Sequence, residues 1–220
     1  MGGGARQKRS QWKRLVKMLL GQGLYSLAIS LTIRANIGYC PWDVFHSGVA
    51  QVLGISIGGA ITAVSAALLG MALVKRWPIG LGTVLNVFLC GTLVDVYCPL
   101  LPAAKGWASG VGMFVLGIAV LAFATYCYIE PAYGTSVRDS LFVFIAKSLR
   151  ISTGRARILM EVCLVALGLL MGGTAGAGSL LSCVITGPCM QVMFKALRFE
   201  LVTVNHESLA DTLRFLKRTR

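Results

Sequence analysis

Apolar residues run along this chain in long blocks. Residues 15–33, 57–74, 80–101, 107–129, 157–171 and 177–197 are dominated by Leu, Ile, Val, Ala, Gly and Phe, with few ionisable groups. At 1.5 Å per helical residue, most of these blocks reach about 30 Å, the thickness of a bilayer's hydrocarbon core. The pattern predicts six transmembrane helices, of which the fifth, 157–171, is short. Two stretches between the blocks read differently. Pro41 opens a helix over 41–53 in which Asp43, His46, Ser47 and Gln51 share one face and Trp42, Phe45, Val49 and Val52 the other. At about 20 Å this helix is too short to span. Gly54 suits the left-handed position that ends a helix, and Ser56 suits the cap of the next one. A second short helix is expected over 136–149, where Ser136-Val137-Arg138-Asp139 reads as a capping box.

The two short helices belong to a repeat. With an offset of 96 positions, Gly38 falls on Gly134, Asp43 on Asp139, Ile55-Ser56 on Ile151-Ser152, and Gly58 on Gly154. The same offset carries Gly80, Gly82 and Gly91 onto Gly176, Gly178 and Gly187. Shared apolar composition does not align glycines and an acid, so the chain reads as two copies of one unit. Repeat 1 covers 15–101 and repeat 2 covers 102–198, between a basic tail at 1–14 and another at 199–220.

Charge decides how the copies insert. Only 13% of residues are charged, against about 25% in a soluble domain, and the formal net charge is +13. That excess does not mark a nucleic-acid binder, because 19 of the 21 Lys and Arg fall in segments that six crossings place on one side. Arg34 and Lys105 alone fall on the other. The asymmetry predicts that both termini are cytoplasmic. Three crossings per copy is an odd number, so the copies must insert oppositely, as inverted repeats. The basic start leads into a long span without a small-residue cleavage site, and the first span is expected to be retained. In the C-terminal tail, Ser208 to Asp211 is expected to cap a basic amphipathic helix.

Polar groups inside the blocks are the candidates for chemistry, since a charge in hydrocarbon costs at least about 2.5 kcal/mol. Asp95 and Gln191 are repeat partners, as are Asn86 and Ser182, and Thr83 and Ser179. These two ladders line a solute pathway or bond helix to helix. Asp43 and Asp139 either cap their short helices or present an acid to a cation or proton; His46 stands on the same face as Asp43. Glu161 follows Arg157 by four residues, the spacing of an intrahelical ion pair. Seven cysteines form no C-x-x-C pair, and a disulfide is open only to Cys40 and Cys98. No metal-binding, cofactor-binding or nucleophile motif occurs, so no metal, cofactor or enzyme activity is expected.

The run Asn36-Ile-Gly38-Tyr-Cys-Pro41-Trp42-Asp43-Val44-Phe-His46-Ser-Gly48 resembles the signature of the bacterial membrane proteins called YczE, related to the wider YitT group. Gly54 to Gly58, Gly80 to Asn86, Gly154 to Arg157, Glu161, Gly172-Gly173 and Gly187-Pro188 extend the resemblance over roughly 15–197. This chain has Ser136-Val137 where that family usually has Gly-Pro. The resemblance implies a bacterial cytoplasmic-membrane protein and supplies no mechanism. The sequence thus leads to an all-α membrane protein with two inverted three-helix repeats, each with one short non-spanning helix. Its expected role is a small carrier or channel for an unidentified solute or ion; the alternative is a scaffold or regulator acting through partner contacts. The thin wall of so small a bundle points to a homodimer in the lipid bilayer.

Overall fold

A computed structural model describes residues 3–75, 77, 79–133 and 136–198, with side chains undescribed at 3–11, 139, 140, 143 and 153. Among these residues there are eight helices and no strand. They are α1 (Gly3–Arg34), α2 (Pro41–Leu53), α3 (Ile57–Val74), α4 (Leu81–Leu100), α5 (Trp107–Ile129), α6 (Val137–Leu149), α7 (Thr153–Leu170) and α8 (Ala177–Ala196). Five are long and apolar enough to cross a membrane: Trp12–Arg34 within α1, and α3, α4, α5 and α8. Helix α7 has 18 residues but carries Arg155, Arg157 and Glu161, which keeps it out of that set. The C-terminal tail and its expected amphipathic helix lie outside the described residues.

The short helices begin and end where their local chemistry dictates. Pro41 occupies the first turn of α2, and Gly54 closes it at φ 64°. Ser56 Oγ accepts the Gly59 N–H at 2.9 Å and starts α3. Ser136 Oγ accepts the Arg138 N–H at 3.4 Å and starts α6. The expected basic tail at 1–14 is a helix from Gly3 onward, because Lys, Arg and Gln propagate a helix well after the apolar block stops. Its inner end is tied down: Arg14 Nη2 donates to Pro131 O at 2.6 Å, and Lys17 pairs with Glu130 at 3.1 Å.

Helices α1 and α5 form the central pair and run antiparallel. Gly21 lies against the Cys127–Tyr128 backbone near one end, and Gly110 lies against Ala35 near the other. Helix α4 is parallel to α1: Gln22 Nε2 donates to Gly82 O at 3.0 Å, and Arg34 Nε to Leu101 O at 2.8 Å. Helix α8 is parallel to α5, with Gly178 beside Phe114 and Cys189 beside Ile118. Helices α2 and α7 pack together through Gly48, Val44 and Gly168.

Backbone features recur at the 96-residue offset. Gly178 N–H donates to Ile37 O at 2.8 Å, and Gly82 N–H donates to Tyr133 O at 2.9 Å. These two bonds cross reciprocally, each running from one half of the chain to the other. Thr83 Oγ1 accepts the Gly80 N–H at 3.3 Å, and Ser179 Oγ accepts the Gly176 N–H at 3.2 Å. Left-handed residues match as well: Asn36 (φ 56°) with Ala132 (φ 62°), and Gly54 (φ 64°) with Arg150 (φ 54°). Arg150 tolerates a conformation that costs a side chain about 1–2 kcal/mol, so the helix stop is set by the surrounding fold as well as by glycine.

One correspondence fails. Helices α3 and α4 touch backbone to backbone where Gly58 meets Gly91. Their counterparts, Gly154 on α7 and Gly187 on α8, have nothing within 4 Å of an added methyl group. Helix α7 packs on α2 and α6 instead of closing on α8.

Candidate functional site

The parted α7 and α8 border a cavity of about 260 Å³. Helix α8 contributes Ser182, Thr186, Met190 and Phe194, one stripe at a spacing of four. The counterpart stripe on α4 is Asn86, Cys90, Val94 and Cys98, and it lines no part of the cavity. Cys90 and Val94 are sealed in a cluster with Ile29, Ile33 and Ile61, against which Cys98 packs. The central pair contributes matched positions: Tyr25, Ile29 and Thr32 from α1, and Leu121, Thr125 and Tyr128 from α5, each 96 residues on.

Both short helices point their first turns into this space. Helix α2 brings Pro41, Trp42 and Asp43; Ser136 and Arg138 come from the start of α6. The Arg138 guanidinium carbon lies 5.0 Å from the centroid of the Trp42 ring. Residues 42 and 138 are themselves 96 apart, so the contact joins equivalent positions of the two halves. A helix N-terminus carries the positive end of the macrodipole, and two such ends converge here. Arg138 is 8% exposed, and its Nη2 has no hydrogen-bond partner among the described residues.

The acids of the cavity have partners. Asp43, 4% exposed, sets Oδ1 3.3 Å from His46 Nδ1. His46 is fully buried behind it, outside the lining, and its Nε2 has no partner among the described residues. When Nδ1–H donates to Asp43 Oδ1, the neutral ring keeps its lone pair on Nε2, an assignment made from the hydrogen bond. Glu161 accepts from Arg157 Nε at 2.8 Å, and both line the cavity. Arg157 also stacks 5.8 Å from the Phe142 ring centroid.

The candidates read from the sequence therefore divide. Asp43 and Glu161 line the cavity, and His46 supports Asp43. Asn86 is buried away from it, and Gln191 is exposed on α8 outside the lining stripe. Asp95 takes the helix-to-helix alternative: Oδ1 accepts the Gly58 N–H at 2.9 Å and Oδ2 the Ser56 hydroxyl at 2.5 Å, capping α3. Thr83 and Ser179 likewise bond the backbone at their helix starts. The side chain of Asp139 lies outside the described residues. All seven cysteines are free, Cys40 and Cys98 included. No group of three or more His, Cys, Asp or Glu suited to a metal occurs among the described residues. Arg138 and Trp42 were not among the sequence candidates. The available signal was their shared repeat position at the start of two short helices.

Known relatives agree with a membrane protein. A model described as a family of unknown function (DUF6198) matches residues 12–195. The chain is 30% identical over 170 residues to a Bacillus subtilis protein titled "Uncharacterized membrane protein YczE", covering 75% of this chain and 79% of that one. It is 25% identical over 182 residues to an uncharacterized protein of Haemophilus influenzae, covering 83% and 84%. Identity to the B. subtilis protein YyaS is 23% over 191 residues, covering 84% and 94%. No solved structure matches. With its apolar helices and these relatives, the chain is a polytopic membrane protein and belongs to the YczE-like family described as DUF6198.

Proposed function

We propose that this protein is a small-solute carrier of the alternating-access type. It would be built from two inverted repeats, α1–α4 and α5–α8, with α7 as the sixth crossing. The observation that carries the reading is the unequal state of two equivalent seams. Gly58 and Gly91 are in contact and the α4 stripe is sealed, while Gly154 and Gly187 are apart and the α8 stripe lines the cavity. Inverted repeats held in different conformations give a binding site open to one face; exchanging the conformations opens it to the other. The alternation of helix directions supports six crossings. So does the position of the α7 C-terminus, beside Val44 and Gly48 of α2. By the positive-inside asymmetry, the open seam faces the cytoplasm.

In the exchanged state, Gly154 would meet Gly187, Gln191 would take the role of Asp95 against Ser152, and Asn86 would join the cavity lining. Asp43 and Arg138 sit where the halves meet, as a midplane solute site requires. The volume lies below the ~300–1,000 Å³ of drug-sized pockets, which limits the solute to a small one.

A cysteine placed at Thr186, in a cysteine-free background, tests this. In a carrier it reacts with membrane-impermeant maleimide added to either side of sealed vesicles, since the cavity visits both. A scaffold exposes it to one side or neither, and that result would sink the proposal.

A further inference from the structure

We infer that the cavity binds a small organic anion, a carboxylate carried on an apolar body, and that Arg138 is its principal binding residue. The inference rests on the reading of the cavity as a solute site. Two observations converge on a negative head group. The first turns of α2 and α6, helices of 13 residues each, aim their positive ends into one space. Arg138 lines that space, is more than nine-tenths buried, and its Nη2 has no hydrogen-bond partner among the described residues. A buried donor left unmade is costly, and most native donors are paired, so a vacant one on a residue that lines a cavity marks a place for an acceptor.

Among the described residues, the other charges of the cavity do not supply that acceptor. Asp43 faces His46, and Glu161 holds Arg157 at 2.8 Å. The Trp42 ring centroid lies 5.0 Å from the Arg138 guanidinium carbon, and the guanidinium fork matches a planar, two-oxygen partner. Away from Arg138 the wall is mainly apolar or aromatic, with Leu121, Ile129, Met190 and Phe194, broken by hydroxyls such as Thr125 and Thr186 and by the Arg157–Glu161 pair. That lining favours a carboxylate with a hydrocarbon or aromatic body over inorganic phosphate or chloride, which would leave it uncovered.

Trp42 itself reports occupancy. The test uses full-length protein with Trp12, Trp77 and Trp107 replaced by Phe, in nanodiscs of phosphatidylcholine, which bring no carboxylate. Iodide quenches Trp42 from within the cavity, and benzoate is the probe that competes. Benzoate is expected to suppress iodide quenching while phosphate at equal ionic strength does not. Arg138→Gln is expected to weaken benzoate about tenfold or more, the loss of one charge-assisted contact. Quenching by neutral acrylamide stays unchanged, which shows that the variant is folded. Arg138→Lys keeps the charge and loses the fork, so iodide still quenches and benzoate protects less. Equal protection by phosphate and benzoate, or Arg138→Lys behaving as Arg138→Gln, would overturn the inference. Two-sided labelling of Thr186→Cys without benzoate protection defeats the anion and spares the carrier. Protection without two-sided labelling does the reverse.

Discussion

Replacing Asp95 with Asn separates a structural acid from a transport acid. The carboxylate accepts from Gly58 N–H at 2.9 Å and from the Ser56 hydroxyl at 2.5 Å, at the positive end of α3. Asn keeps one acceptor oxygen for Gly58, without charge, and turns an amide group toward Ser56. Charge-assisted bonds contribute about 1.5–3 kcal/mol against about 0.5–1.5 for neutral ones, and the dipole adds about 0.3–1. Asp95 and Ser56 are exposed, so the low end applies and the loss is about 1.5–2 kcal/mol. At about 2–4 °C per kcal/mol for a chain of this size, the unfolding midpoint in nanodiscs falls by roughly 3–8 °C. The same bonds hold α3 on α4 and so hold the closed seam. On the proposed reading, weakening them by this amount moves a two-state seam roughly 10- to 30-fold toward the opposite state. Amide exchange at Gly58 and Gly59 should rise with it, while benzoate protection of Trp42 in the remaining population is unchanged. An Asp95→Asn variant with an unaltered midpoint and abolished benzoate protection would refute this, and would return Asp95 to the solute pathway.

Gly91→Ala sets a methyl group against Gly58 O and Thr62 Oγ1, an overpacking worth about 1–3 kcal/mol, and should lower the midpoint and favour the exchanged state. Gly187→Ala meets nothing within 4 Å, so it should leave the midpoint unchanged or raised, yet block two-sided labelling of Thr186→Cys. Glu161→Gln removes the Arg157 partner, whose side chain is 41% exposed; the expected cost is below about 1 kcal/mol and shrinks in high salt, read from the midpoint at two ionic strengths. Single cysteines at Lys8 and Lys105 in a cysteine-free background should label from opposite faces; labelling from the same face would contradict six crossings.

How much of this was legible in the sequence follows from how local each cause is. The bounds of α2 were legible because Pro41 and Gly54 act on their own neighbours. The 96-residue offset was legible because Gly82 and Gly178 each sit where another backbone comes close. Arg138 was not. Charge counting assigns every Arg near a cytoplasmic loop to the cytoplasm, and only tertiary packing lays Trp42 over it. For Asp95 the sequence left a solute pathway and a helix-to-helix bond both open, because the groups it caps, Ser56 and Gly58, lie 39 and 37 residues earlier. Helix α1 reaches back to Gly3, beyond the apolar block, because helix propensity continues where hydrophobicity stops. The difference between the Gly58–Gly91 and Gly154–Gly187 seams was not legible either, since a sequence with glycine at all four positions does not encode which seam is shut.

That difference is also where the account is most directly tested. Cysteine pairs Ser56→Cys with Asp95→Cys, and Ser152→Cys with Gln191→Cys, occupy equivalent places in the two halves. In native membranes of the cysteine-free protein, the first pair should cross-link readily, since Ser56 Oγ and Asp95 Oδ2 are 2.5 Å apart. The second pair, open in this conformation, should cross-link as well, at the expense of the first, and each cross-link should confine Thr186→Cys labelling to the opposite face. A second pair that never cross-links under conditions where the first does so completely would mean that the asymmetry is fixed, and that the protein does not alternate.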